Sequence, residues 1–311
     1  MQSIHSQITS FKIIKRKPKA LIMKTILIPV DFSEHAAPTY KFATRLAGTV
    51  EKTRLFFFHS FNDQLLIPDS TLNSGFDNDT FMNMQLIEEF KEQAENNISQ
   101  LKTEVEIYLS DHSLTNFIVE TLVEGGDPKW EITSVRKDIN ADLIIMGTQG
   151  TGKKGILEGS MAKKIMDKAI TPVIAVPSGK YDHEKLKIMY ASNNSDKDYA
   201  KIMLLFKLFE NLHFEIFVAH FHFESNRHDL INQISELKEA FSKEIIENKI
   251  HFSIVDTDNK DISLETFVDS NSINAVAFIA HKSNFFKSLF KHKINKNDFF
   301  KLGLPMIALH E

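Results

Sequence analysis

The chain has no cysteine. That excludes a disulfide framework and any zinc site built on thiolates, and it suits a reducing compartment, so a cytoplasmic location is expected. No apolar run approaches the roughly 20 residues needed to span a bilayer. The longest candidate, MLLFKLF at 203–209, is short and carries Lys207. Acidic residues are missing from the first 22 positions, MQSIHSQITSFKIIKRKPKALI, which hold Lys12, Lys15, Arg16, Lys17 and Lys19. Setting those five positive charges aside takes the formal net charge from -4 for the whole chain to -9 for the remainder. An acidic body excludes a general nucleic-acid binder, whose affinity comes from neutralising phosphates. The basic head lacks a sustained apolar segment with a small-residue cleavage site, so it does not read as a signal peptide. Residues 1–22 are expected to be a disordered extension, or the product of a start placed upstream of Met23. Glycine is also scarce, and unevenly placed: of 11 in the chain, five fall between 147 and 159, and after residue 180 only Gly303 remains.

What is present is a repeating alternation. A length of 311 residues, 42% hydrophobic and 25% charged, fits two globular domains of about 150 residues each. KTILIPV (24–30), RLFFFHS (54–60), NFIVETLVEG (116–125), ADLIIMG (141–147) and TPVIAV (171–176) are short apolar runs, each expected to be a strand. Between them lie helical patterns at 33–47 after a Ser33 cap, at 81–109, at 127–139 with Pro128 in the first turn, and at 161–169. Strands apolar on both faces, alternating with helices, predict an α/β fold with a parallel sheet covered on both sides.

After PSGKYDHE the order repeats. LKIMYASNNS (186–195) resembles KTILIPVDFS and sets Asn193 where Asp31 stands. NAVAFIAHKS (274–283) and LPMIAL (304–309) match ADLIIMGTQG and TPVIAV under one shift of 133 residues. An internal duplication predicts a domain over 23–177, a linker over 178–184 and a second, glycine-poor domain over 185–311.

The segment GTQGTGKKGILEGS, Gly147 to Ser160, touches three phosphate-binding patterns. A P-loop would follow the first strand and place Ser or Thr after its lysine; this loop follows the fourth strand and places Lys154 there. The G-x-G-x-x-G of Gly150 to Gly155 lacks the strand-helix-strand unit and the acid about 20 residues on that a dinucleotide site needs. Closely spaced glycines still let backbone N–H groups approach an anion, and Gly159-Ser160 opens a helix whose N-terminus attracts negative charge. If the first and fourth strands flank the point where strand order reverses, Asp31 and Gly147 face one another across a ligand crevice. Asp31 and Ser160 also suit turn or capping roles. His59, His220 and His281 are expected at the edge of the core, and Trp130 as a packing residue. No spacing suggests a catalytic constellation or a metal cluster.

The chain resembles tandem members of the universal stress protein family. The resemblance rests on ILIPVDFSEHA, the GGDP of 125–128, ADLIIMGTQG, the pair Gly159-Ser160 and the terminal TPVIAVP. It implies two flavodoxin-like (Rossmann-like) doubly wound domains, each with a five-stranded parallel sheet. It also implies ATP, with or without magnesium, in the first: Asp31 at the adenosine, the backbone of Ser60 beside the adenine, Met146 and Gly147 near the adenosine, and Gly150, Gly159, Ser160 and Met161 around the phosphates. The glycine pattern of nucleotide-binding members, G-x2-G-x9-G-[S/T], is met with eight residues rather than nine between Gly150 and Gly159. Three readings follow: an ATP-binding stress-response regulator with the second domain as structural mate, a nucleotide-free interaction scaffold, and a slow nucleotide hydrolase. The resemblance further implies that the last strands of the two domains meet as an internal pseudo-dimer, and it allows a homodimer.

Overall fold

The computed structural model describes residues 23–33, 36–61, 78–148, 160–177, 179, 183–192, 196–222, 227–256, 260–280 and 302–310. The first half runs β1 (Lys24–Pro29), α1 (Ala36–Ala47), β2 (Thr53–Phe61), α2 (Asn78–Asp111), β3 (Phe117–Gly125), α3 (Pro128–Asp138), β4 (Leu143–Gly147), α4 (Ser160–Lys168) and β5 (Val173–Val176). The second runs β6 (Leu186–Ser192), α5 (Asp198–Leu208), β7 (Phe214–His222), α6 (Arg227–Ala240), α7 (Ser242–Ile246), β8 (Ile250–Asp256), α8 (Lys260–Asn271), β9 (Ala275–Ile279) and β10 (Met306–Leu309). The five apolar runs of the first half each become a strand, with ends shifted by one or two residues, and β6, β9 and β10 fall within the three repeated segments of the second. All ten strands form one sheet in the order β3-β2-β1-β4-β5-β10-β9-β6-β7-β8. Neighbours are parallel within each half, and the halves join through β5 and β10, which run antiparallel with Ile174 opposite Ile307.

The absence of polar alternation along the strands has a packing cause. Alternate residues of β1, Ile26 and Ile28 against Leu27, enter separate apolar layers on opposite faces of the sheet. One layer is closed by α1 and by α2, whose Ile98, Leu101, Val105 and Leu109 are buried at helical spacing. The other is closed by α3 and α4 through Ile132, Val135, Ile165 and Met166. Helix α3 starts as its sequence predicts, with Pro128 in the first turn and Asp127 accepting the Lys129 N–H at 2.8 Å.

Two expectations fail. Ser33 does not cap α1 with its hydroxyl: its carbonyl accepts the Ala36 N–H at 3.1 Å, while its buried Oγ has no partner among the described residues. Trp130 is 61% exposed, with the ammonium groups of Lys129 and Lys168 at 4.8 and 5.0 Å from its ring centre. It faces outward because the inward positions of α3 are taken by Ile132 and Val135.

The halves also touch where α1 ends. Gly48 has φ +70°, and a Cβ there would lie 2.8 Å from Cβ of Asn211, whose amide donates to the Ala47 carbonyl at 2.9 Å. Gly48→Ala is therefore expected to lose about 1–2 kcal/mol from left-handed backbone strain and displacement of Asn211. Urea unfolding of the variant measures it, and an unchanged midpoint would contradict the close approach.

Candidate functional site

The strand order reverses between β1 and β4, which lie side by side with Ile26 opposite Leu143. From β1 the chain winds outward through β2 to β3, then crosses back to β4 on the other side. The connections leaving β1 and β4 diverge, so a crevice opens outside their carboxyl ends. A cavity of about 240 Å³ occupies that place. Its walls come from the ends of three strands (Val30 and Asp31 after β1, Phe58 to Ser60 in β2, Met146 to Thr148 at β4) and from the first turns of α1, α3 and α4.

Five of the eight residues singled out from the sequence line this cavity: Asp31, Ser60, Met146, Gly147 and Met161. Gly150 and Gly159 lie outside the described residues, as do Lys153 and Lys154. Ser160 is the first residue of α4, and its side chain is likewise outside the description. Asp31 makes the expected turn: its Oδ1 accepts the Ser33 N–H at 3.1 Å. Ser60 differs from the expectation of a backbone role alone, since its Oγ donates to the Gly126 carbonyl at 2.7 Å and ties β2 to the start of α3.

Residues not singled out complete the walls. His59 Nδ1 lies 2.8 Å from the Val30 carbonyl. A carbonyl only accepts, so Nδ1 carries the proton in the neutral ring and Nε2 is an acceptor. Burial holds the His59 pKa below the ordinary histidine value, outweighing the Val30 carbonyl and Asp31, which pull it upward. Phe32, at φ 57°, packs its ring 4.3 Å from the imidazole. Thr148 is 3% exposed, and its Oγ1 has no hydrogen-bond partner among the described residues, as is true of Ser33 Oγ. Both hydroxyls belong to residues that line the cavity. The sequence marks neither as a ligand contact: Ser33 reads as a helix cap, and an isolated Thr after a strand is ordinary turn chemistry.

The second half treats the equivalent place differently. Strand β6 lies beside β9 and β7 as β1 lies beside β4 and β2. Ser192 and His220 are a register pair, and His220 follows the first ladder residue of its strand, Phe214, at the distance by which His59 follows Thr53. Asp198 opens α5 as Ala36 opens α1, but its carboxylate is fully buried. It accepts the Tyr190 hydroxyl at 2.7 Å and also the Ser192 hydroxyl. Burial, reinforced by the Asp198 charge, raises the Tyr190 pKa well above its ordinary value. His220 is 1% exposed with neither ring nitrogen bonded among the described residues, and burial, with Lys238 adding repulsion, lowers its pKa to about 4. His220 is thus deep in the core rather than at its edge; His281 lies outside the described residues. Where the first half leaves a cavity wall with Ala36, the second places a bonded carboxylate.

Among the described residues, no group of three or more His, Asp or Glu side chains could hold a metal ion, and no helix is long and apolar enough to cross a membrane. Comparison with known proteins bears on the same region. Residues 23–177 match the model of the universal stress protein family. Universal stress protein MJ0577 of Methanocaldococcus jannaschii is 29% identical over 167 residues, spanning 50% of this chain and 96% of that protein. Over the longer span, the crystal structure of a universal stress protein from Archaeoglobus fulgidus superposes with a TM-score of 0.60, covering 92% of this chain and 96% of its own at 16% identity. A functionally unknown protein from Pseudomonas aeruginosa PAO1 gives 0.54 over 93% and 92% of the two chains at 12% identity. The last two likenesses are of fold. On the match across residues 23–177, together with a doubly wound sheet whose strand order reverses at the crevice, the chain belongs to the universal stress protein family.

Proposed function

We propose that the first half binds ATP, with or without magnesium, in the β1/β4 crevice and acts as a cytoplasmic stress-response regulator. The observation that carries this reading is the convergence of Asp31, Ser60, Met146, Gly147 and Met161 on one cavity at the topological switch point. The apolar walls from Val30, Phe58, Ile132 and Met161 suit the faces of a purine, and the strand-end polar groups suit its edge and the sugar. The phosphates would lie toward the N-terminus of α4, which Ser160 opens. The second half, with its counterpart position filled by the Tyr190–Asp198–Ser192 network, is the structural mate, and β5 with β10 forms the internal pseudo-dimer seam. A homodimer of the whole chain remains compatible with this arrangement.

A second reading, a scaffold that holds no nucleotide, is favoured by the eight-residue spacing between Gly150 and Gly159. Nucleotide released on heat-denaturing freshly purified protein separates the two. ATP in about equimolar amount is expected. Ala36→Leu, which fills the cavity from the first turn of α1, is expected to weaken ATP binding at least about tenfold by calorimetry. Absence of bound nucleotide, together with no calorimetric binding in the presence of magnesium, would establish the scaffold reading.

A further inference from the structure

Two buried hydroxyl oxygens of residues lining the crevice, Thr148 Oγ1 and Ser33 Oγ, have no protein partner among the described residues; beside them the half-buried His59 commits Nδ1 to the Val30 carbonyl and leaves Nε2 as its second ring nitrogen. Buried polar groups are bonded in the great majority of cases, and an orphan costs the free energy of its lost hydration. The two hydroxyls and the second nitrogen of His59 belong to residues lining one cavity, a set that a bound molecule would complete. They differ in what they accept. The two hydroxyls can turn to donate or accept, whereas the neutral imidazole, with Nδ1–H committed to Val30, offers only a lone pair at Nε2. A ligand atom facing His59 must therefore carry a hydrogen.

Resting on the nucleotide reading above, we infer that His59 is a specificity-determining residue which requires an N–H or O–H donor of the ligand, and that Thr148 and Ser33 complete the ligand's remaining polar edge. On a purine nucleotide that donor comes from one of two sources, the exocyclic amine of the base or a ribose hydroxyl. A carbonyl at the same place would set two acceptors against each other, so an oxo-purine loses what an amino-purine gains if the base is the source.

The test compares ATP, ITP, 2′-deoxy-ATP and 3′-deoxy-ATP by calorimetry on the full chain and on His59→Phe. Phenylalanine keeps the ring against Phe32 but removes both nitrogens. Loss of the Val30 bond penalises every ligand alike, so the ratio between ligands isolates Nε2. The wild type is expected to prefer ATP by about tenfold over the analogue lacking the donor that His59 reads, and His59→Phe to bring that ratio near one. The analogue affected identifies base or sugar. Thr148→Val supplies a second readout: removing an orphan hydroxyl in an isosteric side chain should raise the ligand-free Tm by about 2 °C while weakening ATP severalfold. ATP preferences that survive unchanged in His59→Phe, or a Thr148→Val protein with unaltered affinity, would overturn the inference. Wild-type protein that binds none of the four would instead sink the nucleotide reading beneath it.

Discussion

Ile307→Asp is expected to cost at least about 4 kcal/mol and to shift the unfolding of the entire chain. Ile307 is fully buried in β10, opposite the fully buried Ile174 of β5 and beside Ala277 of β9. The substitution removes a large aliphatic side chain from a packed layer, a loss of about 2–5 kcal/mol for comparable truncations. It also places there a carboxylate with no cation in the surrounding apolar layer. Because the layer containing Ile307 also includes Ile174, Val176, Ile188 and Ile279, the damage reaches both halves. Urea titration followed by far-UV circular dichroism should show one transition, moved to lower denaturant. Ile307→Val, which removes one methyl group, should cost only about 1 kcal/mol. Two transitions, with one half untouched by the charge, would show that the ladder between β5 and β10 does not couple them.

Acid should weaken the fold through His220. Its folded pKa of about 4 lies below the unfolded value of 6.5, so the unfolded chain binds a proton that the folded chain refuses. Stability is therefore full above pH 6.5, falls as the pH drops toward 4, and is flat below. The gap corresponds to about 3 kcal/mol. His59 and His310 act in the same direction, both held below the ordinary value chiefly by burial. In His220→Phe the two unbonded nitrogens disappear with the titration, so that protein should be at least as stable at pH 7.5 and lose about 3 kcal/mol less on acidification. Equal pH slopes for the two proteins, measured by urea unfolding from pH 7.5 to 4, would show that His220 keeps its ordinary pKa.

The fold was legible because each half writes it in a simple code. Runs such as ILIP and LIIM are too short for helices and too apolar for a half-exposed strand, which leaves a buried parallel strand. The reversal of strand order between β1 and β4 is what set Asp31 and Gly147 at a common crevice. Depth was not legible. His59 and His220 stand at equivalent ladder positions, yet one bonds the Val30 carbonyl and lines a cavity while the other is sealed without a partner. Asp198 reads as an ordinary acid in the first turn of a helix, and its burial against Tyr190 and Ser192 depends on residues brought together only by the tertiary fold. Trp130 was misjudged for the converse reason. Size and apolarity suggest packing, but the turn of α3 points it outward, where Lys129 and Lys168 approach its ring.

The pairing of β5 with β10 also fixes how the seam responds to dilution. Two separate chains joined by the same strands would part as their concentration fell. Here both strands belong to one polypeptide, so closure is unimolecular, and each strand meets the other at an effective concentration set by covalent connection. A ligand in the β1/β4 crevice thus has no subunit equilibrium at this seam to shift. A signal that crosses this seam from the crevice to the second half needs no second copy of the protein.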